Sequence, residues 1–222
     1  LPGWVPRDST KGWVHAEYSL LPGSTDSRFR RERRGAKGRT QEIERLVARS
    51  LRAAVDLEEL GPIALNVDCD ILNADGGTRC ASITAANLAL RLGVRRLIAA
   101  GVCLPKNLRP TEEQRRSGWS PPVLSEEEQM AHEMRVMEHD VAAISVGLID
   151  GKSYLDLDYN LDSNADVDMN VVKVSNGAFV EVQGTGEEST YQREELDALL
   201  DMADIGFEAL FEMQKTILHG QQ

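Results

Sequence analysis

Two short stretches hold the residue types that could do chemistry. Asp75-Gly76-Gly77-Thr78-Arg79 is a glycine turn that leaves a strand pattern and opens a helical one. Amide N–H groups at a helix start have no helical partner and point at whatever lies over them, so this turn is a ready anion site. The helix dipole alone supplies only about 0.3–1 kcal/mol. Charge-assisted hydrogen bonds from Arg79 and the Thr78 hydroxyl, with a second guanidinium from Arg39 at another helix start, would have to add to it. The GxxxxGK[ST] frame of a P-loop is absent, and a plain structural turn is the competing reading.

The second stretch carries Asp156, Asp158, Asp162, Asp166 and Asp168. Two carboxylates about 4 Å apart repel by roughly 4 kcal/mol at an effective dielectric of 20, so a convergent pair wants a cation. An EF-hand is excluded because Leu161 stands where that loop needs Gly and Val167 where it needs Glu. Asp168 alternates with Val167 and Met169, which predicts a strand holding its carboxylate rigidly on one face. With Asp162 it makes a pair of the kind that suits magnesium, which takes one or two carboxylates plus water and phosphate oxygens. The plainer alternative is an acidic, solvated loop.

Other motifs fail. His132-Glu133 with His139 misses the HExxH spacing by three residues, Gly184-x-Gly186 lacks a full GxGxxG, and no Ser or Cys sits in a nucleophile frame. Cys69, Cys80 and Cys103 show no CxxC spacing and read as reduced thiols of a cytoplasmic protein.

The chain has 222 residues and a net charge of −11. That total hides an asymmetry, with +5 over residues 1–56, −4 over 57–149 and −12 over 150–222. Arg28, Arg30, Arg31, Arg33, Arg34, Lys37 and Arg39 crowd a short run with Glu32 as its only acid. Such a run is either a solvated loop or a surface for a phosphate backbone, because local potential steers a polyanion more than net charge does. No apolar run is long enough to span a membrane. The chain opens on Leu1 without a signal-peptide pattern, and the expectation is that its start is missing.

The elements that must position these residues can be read from periodicity. A helix is expected from Thr40, as N-cap, to a stop at Gly61, then a half-buried strand over 63–72 and a second helix over 80–92. Residues 93–139 read as an inserted excursion rich in Pro, with an acidic helix opened by the capping box Ser125-x-x-Glu128. Strands follow at 141–149, 154–159, 167–174 and 178–182, joined by Asp150-Gly151 and Asn176-Gly177, and a long last helix is capped by Ser189-x-x-Gln192. The fold class is α+β with antiparallel pairing, expected as one domain over 1–222 with 93–139 inserted.

Gly12-Trp13-Val14-His15-Ala16-Glu17-Tyr18-Ser19-Leu20-Leu21-Pro22, Gly38-Arg39-Thr40-Gln41-Glu42-Ile43, Asp75 through Thr84 and Asp162-Ser163 to Asn170 together resemble the ribonuclease PH family. The resemblance runs in order over residues 12–92 and 141–218. It implies a phosphate-dependent 3′ to 5′ exoribonuclease that trims tRNA precursors, a β-α-β-α ribosomal-protein-like fold, and a hexameric ring of like subunits. Position by position, Arg39, Thr78 and Arg79 match the family's phosphate-binding residues, and Gly77 lends its amide. Asp162 and Asp168 match its metal and catalytic carboxylates, implying Mg2+, and Arg28 and Arg31 match arginines of its RNA-contacting loop. Against the family pattern, the opening strands are absent upstream, Leu161 replaces a Glu, Gly23 stands where many members place Arg, and 93–139 is longer than the usual connection. The rival expectations are a non-catalytic RNA-binding ring subunit and a hydrolytic nuclease.

Overall fold

The computed structural model describes every residue except 4, 7, 8, 187, 188, 221 and 222. Its elements are β1 (Trp13–Leu20), α1 (Gly38–Ala53), α2 (Leu57–Leu60), β2 (Ala64–Ile71), α3 (Thr78–Ala99), α4 (Glu112–Arg116), α5 (Glu126–Val136), β3 (Val141–Ile149), β4 (Lys152–Leu155), α6 (Tyr159–Asp162), β5 (Val167–Val174), β6 (Phe179–Gly186) and α7 (Arg193–His219). β1 and β2 pair in parallel, and the other strands form an antiparallel sheet in the order β4-β3-β5-β6. The α+β class and the antiparallel pairing of the later strands stand as expected.

β3 is a nearly unbroken apolar run, and β5 is buried along nearly its whole length, because helices cover both faces of their sheet. Val141 and Ala143 pack with α3 and α1, while the alternate residues Ala142, Ile144, Val146 and Leu148 pack with Leu199, Ala203 and Phe207 of α7. Asp168 follows buried Val167 on β5, opposite Gly147 of β3 and Thr185 of β6. Its backbone is therefore held from both sides.

Several expected boundaries move, each for a local reason. α1 begins at Gly38, so Thr40 lies within the helix rather than capping it, and its hydroxyl donates to Glu32 Oε1 at 3.2 Å. α1 stops at Ala53 because Asp56 starts α2, its Oδ1 accepting from the Glu58 and Glu59 amides at 2.8 and 3.0 Å; Gly61 ends that second helix. β4 is shorter than expected, since Asp156 turns the chain at φ +55° and Asp158 caps α6 by accepting from the Leu161 amide at 2.8 Å. Ser189 does not cap α7. Gln192 does, its amide donating to Glu195 Oε2 at 2.7 Å, while the Ser189 hydroxyl donates to the Asp166 carbonyl. β1 was not anticipated, although its buried Val14, Ala16 and Tyr18 alternate with exposed neighbours.

α3 runs seven residues past its expected end, to Ala99, because Val94 and Ile98 are buried and its arginines find acids. Arg91 donates to Asp140 Oδ1 at 2.9 Å, Glu133 Oε1 at 3.1 Å and the Met137 carbonyl at 2.7 Å, and Arg95 donates to Glu133 Oε2 at 2.7 Å. This buried network docks α5, with its expected capping box at Ser125, against the later half of α3. Arg91 lies thirteen residues into the helix, roughly 20 Å from Thr78 at 1.5 Å per residue.

Removing one partner of a buried ion network leaves charge without compensation, so Glu133→Ala should cost about 3–5 kcal/mol in denaturant unfolding. His132 beside it is fully buried. Burial, aided by the positive charge of Arg135 and opposed by Glu59, holds its imidazole down at about 4. A depressed folded-state value means its contribution is present above the unfolded value of about 6.5 and is lost as pH falls toward 4. Unfolding free energy should therefore decline between pH 6.5 and 4, and His132→Phe should flatten that decline.

Candidate active site

The centre of the site is the start of α3. Gly77 occupies the cap position in the left-handed region at φ +68°, and it makes no side-chain cap hydrogen bond to the first-turn amides. The Thr78 hydroxyl lies 2.9 Å from that of Tyr18, a buried residue of β1. Arg79 extends to Glu42 of α1, Nη2 to Oε2 at 3.1 Å. Tyr18 also lines a cavity of about 230 Å³ together with Arg39, Lys37, Phe29 and Glu32. Tyr18 and Glu42 thus bring the start of α1, with Arg39, to the start of α3, with Thr78 and Arg79. An anion here would meet backbone amides, one hydroxyl and guanidinium groups.

The segment before α1 is the basic run. Residues 28–37 curl around an open cavity of about 1130 Å³ whose lining includes Arg28, Arg30, Arg31, Arg33 and Arg34. Arg28 and Arg31 are exposed. Glu32, the lone acid of the run, closes the curl by accepting from the Lys37 amide at 2.9 Å and from Thr40. The arginines border a concave space, and the smaller cavity that shares Phe29, Glu32 and Lys37 with it reaches Arg39.

Opposite lies the acidic stretch, and its five carboxylates divide. Asp158 caps α6, and Asp166 accepts from the Asp150 amide at 2.8 Å. Asp162 ends α6, and Asp168 stands at the start of β5. The buried Cys80 thiol, in the first turn of α3, feels the charge of three of the acids. Burial pushes its pKa upward, the negative charges of Asp168, Asp156 and Asp162 push it further, and Arg79 opposes them. Cys80 also donates to Asn170 Oδ1 at 3.1 Å, tying α3 to β5 directly behind the acids. Among the described residues no group of three or more His, Cys, Asp or Glu gathers as a ready-made cation cage. Asp162 and Asp168 are a carboxylate pair of the kind that fits magnesium, which keeps waters and phosphate oxygens for the rest of its shell.

What holds the two halves together is backbone packing. A Cβ at Gly76 would lie 2.1 Å from the Leu157 carbonyl oxygen and 2.7 Å from the Asp158 carbonyl carbon. Asp75 Oδ1 accepts from its neighbour Gly76 at 2.9 Å and, across the cleft, from the Tyr159 amide at 2.6 Å. Ser145 of β3 adds a third tie, its hydroxyl accepting from the Leu157 amide at 3.1 Å. Tyr18, Glu42, Asp75, Ser145 and Asn170 were given no role from sequence. Only Tyr18, in the alternation of β1, and Asp75, beside the glycines, carried a local signal.

Residues 2–93 match the model of the 3′ exoribonuclease family, domain 1, and residues 139–206 match domain 2 of the same family. The chain is 48% identical over 219 residues to "Ribonuclease PH" of Rhodopirellula baltica, covering 98% of this chain and 79% of the relative. It is 47% identical over 214 residues to "Ribonuclease PH" of Corynebacterium efficiens, covering 96% and 76%. Among solved structures, rice (Oryza sativa) Rrp46 superposes with a TM-score of 0.65 at 12% identity, over 97% of this chain and 78% of that one. The Archaeoglobus fulgidus exosome with RNA bound to the active site gives 0.58 at 19% identity, over 89% and 69%. These two likenesses establish the fold.

The contact at Gly76 leaves no room for a methyl group, and the atoms it would meet are backbone. Gly76→Ala should therefore destabilise the protein by about 1–3 kcal/mol, read by denaturant unfolding, through forced separation of the two loops. Glycine-to-alanine at exposed Gly38, with nothing within 4 Å of its Cβ position, is the matched control.

Proposed function

The chain belongs to the ribonuclease PH family of 3′ exoribonucleases, and from that membership we propose how its own residues carry out phosphate-dependent 3′ to 5′ removal of nucleotides from RNA. It is a phosphorolytic exoribonuclease of nucleotidyltransferase type, and tRNA precursors are its substrate class. The observation that supports the residue assignment is the Gly76 contact, which lays the start of α3 against Leu157 and Asp158, just ahead of the short helix that ends at Asp162.

In this reading inorganic phosphate is the attacking group. Arg39, Arg79, the Thr78 hydroxyl and the Gly77-Thr78 amides hold it, and Arg79 exchanges part of its contact with Glu42 for the anion. A phosphate oxygen forms a bond to the phosphorus of the last nucleotide, the bond from that phosphorus to the 3′ oxygen of the preceding nucleotide breaks, and the 3′ oxygen takes the electron pair and a proton. A nucleoside diphosphate leaves, together with an RNA one nucleotide shorter. The nucleophile is already anionic, so no strong base is required, and in this reading Asp168 helps protonate the leaving oxygen. Asp162 and Asp168 would hold Mg2+, which when bound offsets charge on the transferring phosphoryl group. Arg28 and Arg31, on the exposed basic curl, hold the RNA backbone.

We extend the reading to the assembly. A hexameric ring is proposed on family grounds, as is a cytoplasmic location; no helix among the described residues is long and apolar enough to cross a membrane. Residues 93–139 are proposed as an insertion within one domain. The family matches leave 94–138 between them, and α5 packs against the half of α3 remote from the anion pocket. With all five phosphate and carboxylate positions present, the enzyme reading stands ahead of the non-catalytic ring subunit.

Single substitutions separate the roles. Asp168→Asn should lower turnover by about 10²-fold or more, the scale of a lost general acid, while leaving the thermal midpoint and RNA binding near wild type. Arg79→Ala should raise the phosphate concentration needed for half-maximal rate by at least about ten-fold, roughly 1.4 kcal/mol, with little change in RNA affinity. Steady-state kinetics with varied phosphate, beside RNA binding by filter retention, reads both. Near-normal turnover in Asp168→Asn would remove that residue from the mechanism.

A further inference from the structure

We propose that Asp75 is the positioning residue that sets the acidic half of the site against its phosphate half. The proposal rests on the functional reading above and names a role for a residue that neither holds phosphate nor belongs to the Asp162–Asp168 pair.

A single carboxylate oxygen of Asp75 accepts from two backbone amides on opposite sides of the cleft, Gly76 at 2.9 Å and Tyr159 at 2.6 Å. The Gly76 amide belongs to the turn that opens α3. Tyr159 is the first residue of α6, the one-turn helix that ends at Asp162. A helix that short does not hold its own geometry, because a single turn fixes several residues for very few hydrogen bonds. Its orientation must come from outside. Asp158 caps it locally through the Leu161 amide, and that bond moves with the helix rather than fixing it to the rest of the protein. Asp75 is the side chain that ties the first residue of α6 to the α3 turn, so with the Gly76 backbone contact it fixes the place of α6, and of Asp162 at its end, relative to Gly77, Thr78 and Arg79.

The bridge needs an acceptor at this point and not a net charge. Asparagine can present its amide oxygen to both N–H groups, whereas alanine cannot. Tyr159 offers a complementary test from the other side. It is 65% exposed, its side chain is dispensable for packing, and it sits at the first helical position, where proline fits because the missing N–H has no helical partner there. Tyr159→Pro thus deletes the donor and sets a ring carbon where the N–H meets Asp75 Oδ1, breaking the bridge from this side, and Tyr159→Ala is its side-chain control.

The expected result is that Asp75→Ala and Tyr159→Pro both lower turnover and raise the magnesium concentration for half-maximal rate by about ten-fold, the usual scale for losing a residue behind a metal ligand. RNA retention without phosphate or magnesium should stay at the wild-type level. Asp75→Asn and Tyr159→Ala should stay within about three-fold of wild type, since both keep the hydrogen bond. Hydrogen exchange at the Tyr159 amide gives a readout that does not depend on catalysis. It should be protected in wild type and Asp75→Asn, and exposed in Asp75→Ala. If Asp75→Asn proves as impaired as Asp75→Ala while Tyr159→Pro behaves as wild type, Asp75 acts through its charge and the bridging role is overturned. An unprotected Tyr159 amide in wild type overturns it as well. A wild-type protein that releases no nucleoside diphosphate, yet shows the expected exchange pattern, would contradict the functional reading and leave the bridge standing.

Discussion

The site depends on one close approach. Gly76 packs its α carbon against the backbone at Leu157 and Asp158 at a distance that no other residue permits. That contact lays the turn that opens α3 directly on the loop that leads to Asp162. The proposed chemistry depends on the two loops sharing this wall. On one side are amides, a hydroxyl and arginines suited to an anion; on the other are carboxylates suited to a cation. Neither half does phosphoryl chemistry alone, because the anion needs its charge offset and the cation needs the anion's oxygens to complete its shell.

The rest of the fold braces that wall. The sheet is covered on both faces, so β5 presents Asp168 from a strand that is paired on both edges and packed above and below. α3 lies across the same sheet, pinned to β5 by Cys80 and Asn170 and to β1 by Thr78 and Tyr18. Its far end is anchored by the buried arginine and glutamate network under α5. A long helix fixed at both ends carries its first turn to a defined position, which is what a phosphate cradle requires. The basic curl before α1 is held differently, chiefly by Glu32, and offers a concave charged surface rather than a rigid pocket. That suits a flexible polymer whose backbone is bound by charge.

Much of this was legible in the sequence, and the reasons differ from element to element. The glycine turn and the Val167-Asp168-Met169 alternation announce themselves because they are local: the first needs glycine, the second has period two. The Asp150-Gly151 and Asn176-Gly177 turns and the Ser125 capping box are local for the same reason. β1 was missed although Val14, Ala16 and Tyr18 alternate, since its partner β2 is parallel and reached by a long crossover. The split of the five aspartates was also hidden. Asp158 and Asp166 satisfy backbone amides, and that could not be read until Asp156 was seen to turn the chain out of the strand. Glu42, Asp75 and Asn170 act across 37, 84 and 90 residues of sequence, where no spacing rule reaches.

The central claim is that phosphate, held at the start of α3, is the attacking group. Its most direct measurement is the identity of the mononucleotide released from a short 3′-tailed RNA in magnesium, with and without inorganic phosphate. The account predicts nucleoside diphosphates formed only when phosphate is present. Nucleoside monophosphates released at the same rate in its absence would contradict it, because water would then be the nucleophile and the anion pocket would have no part in the reaction.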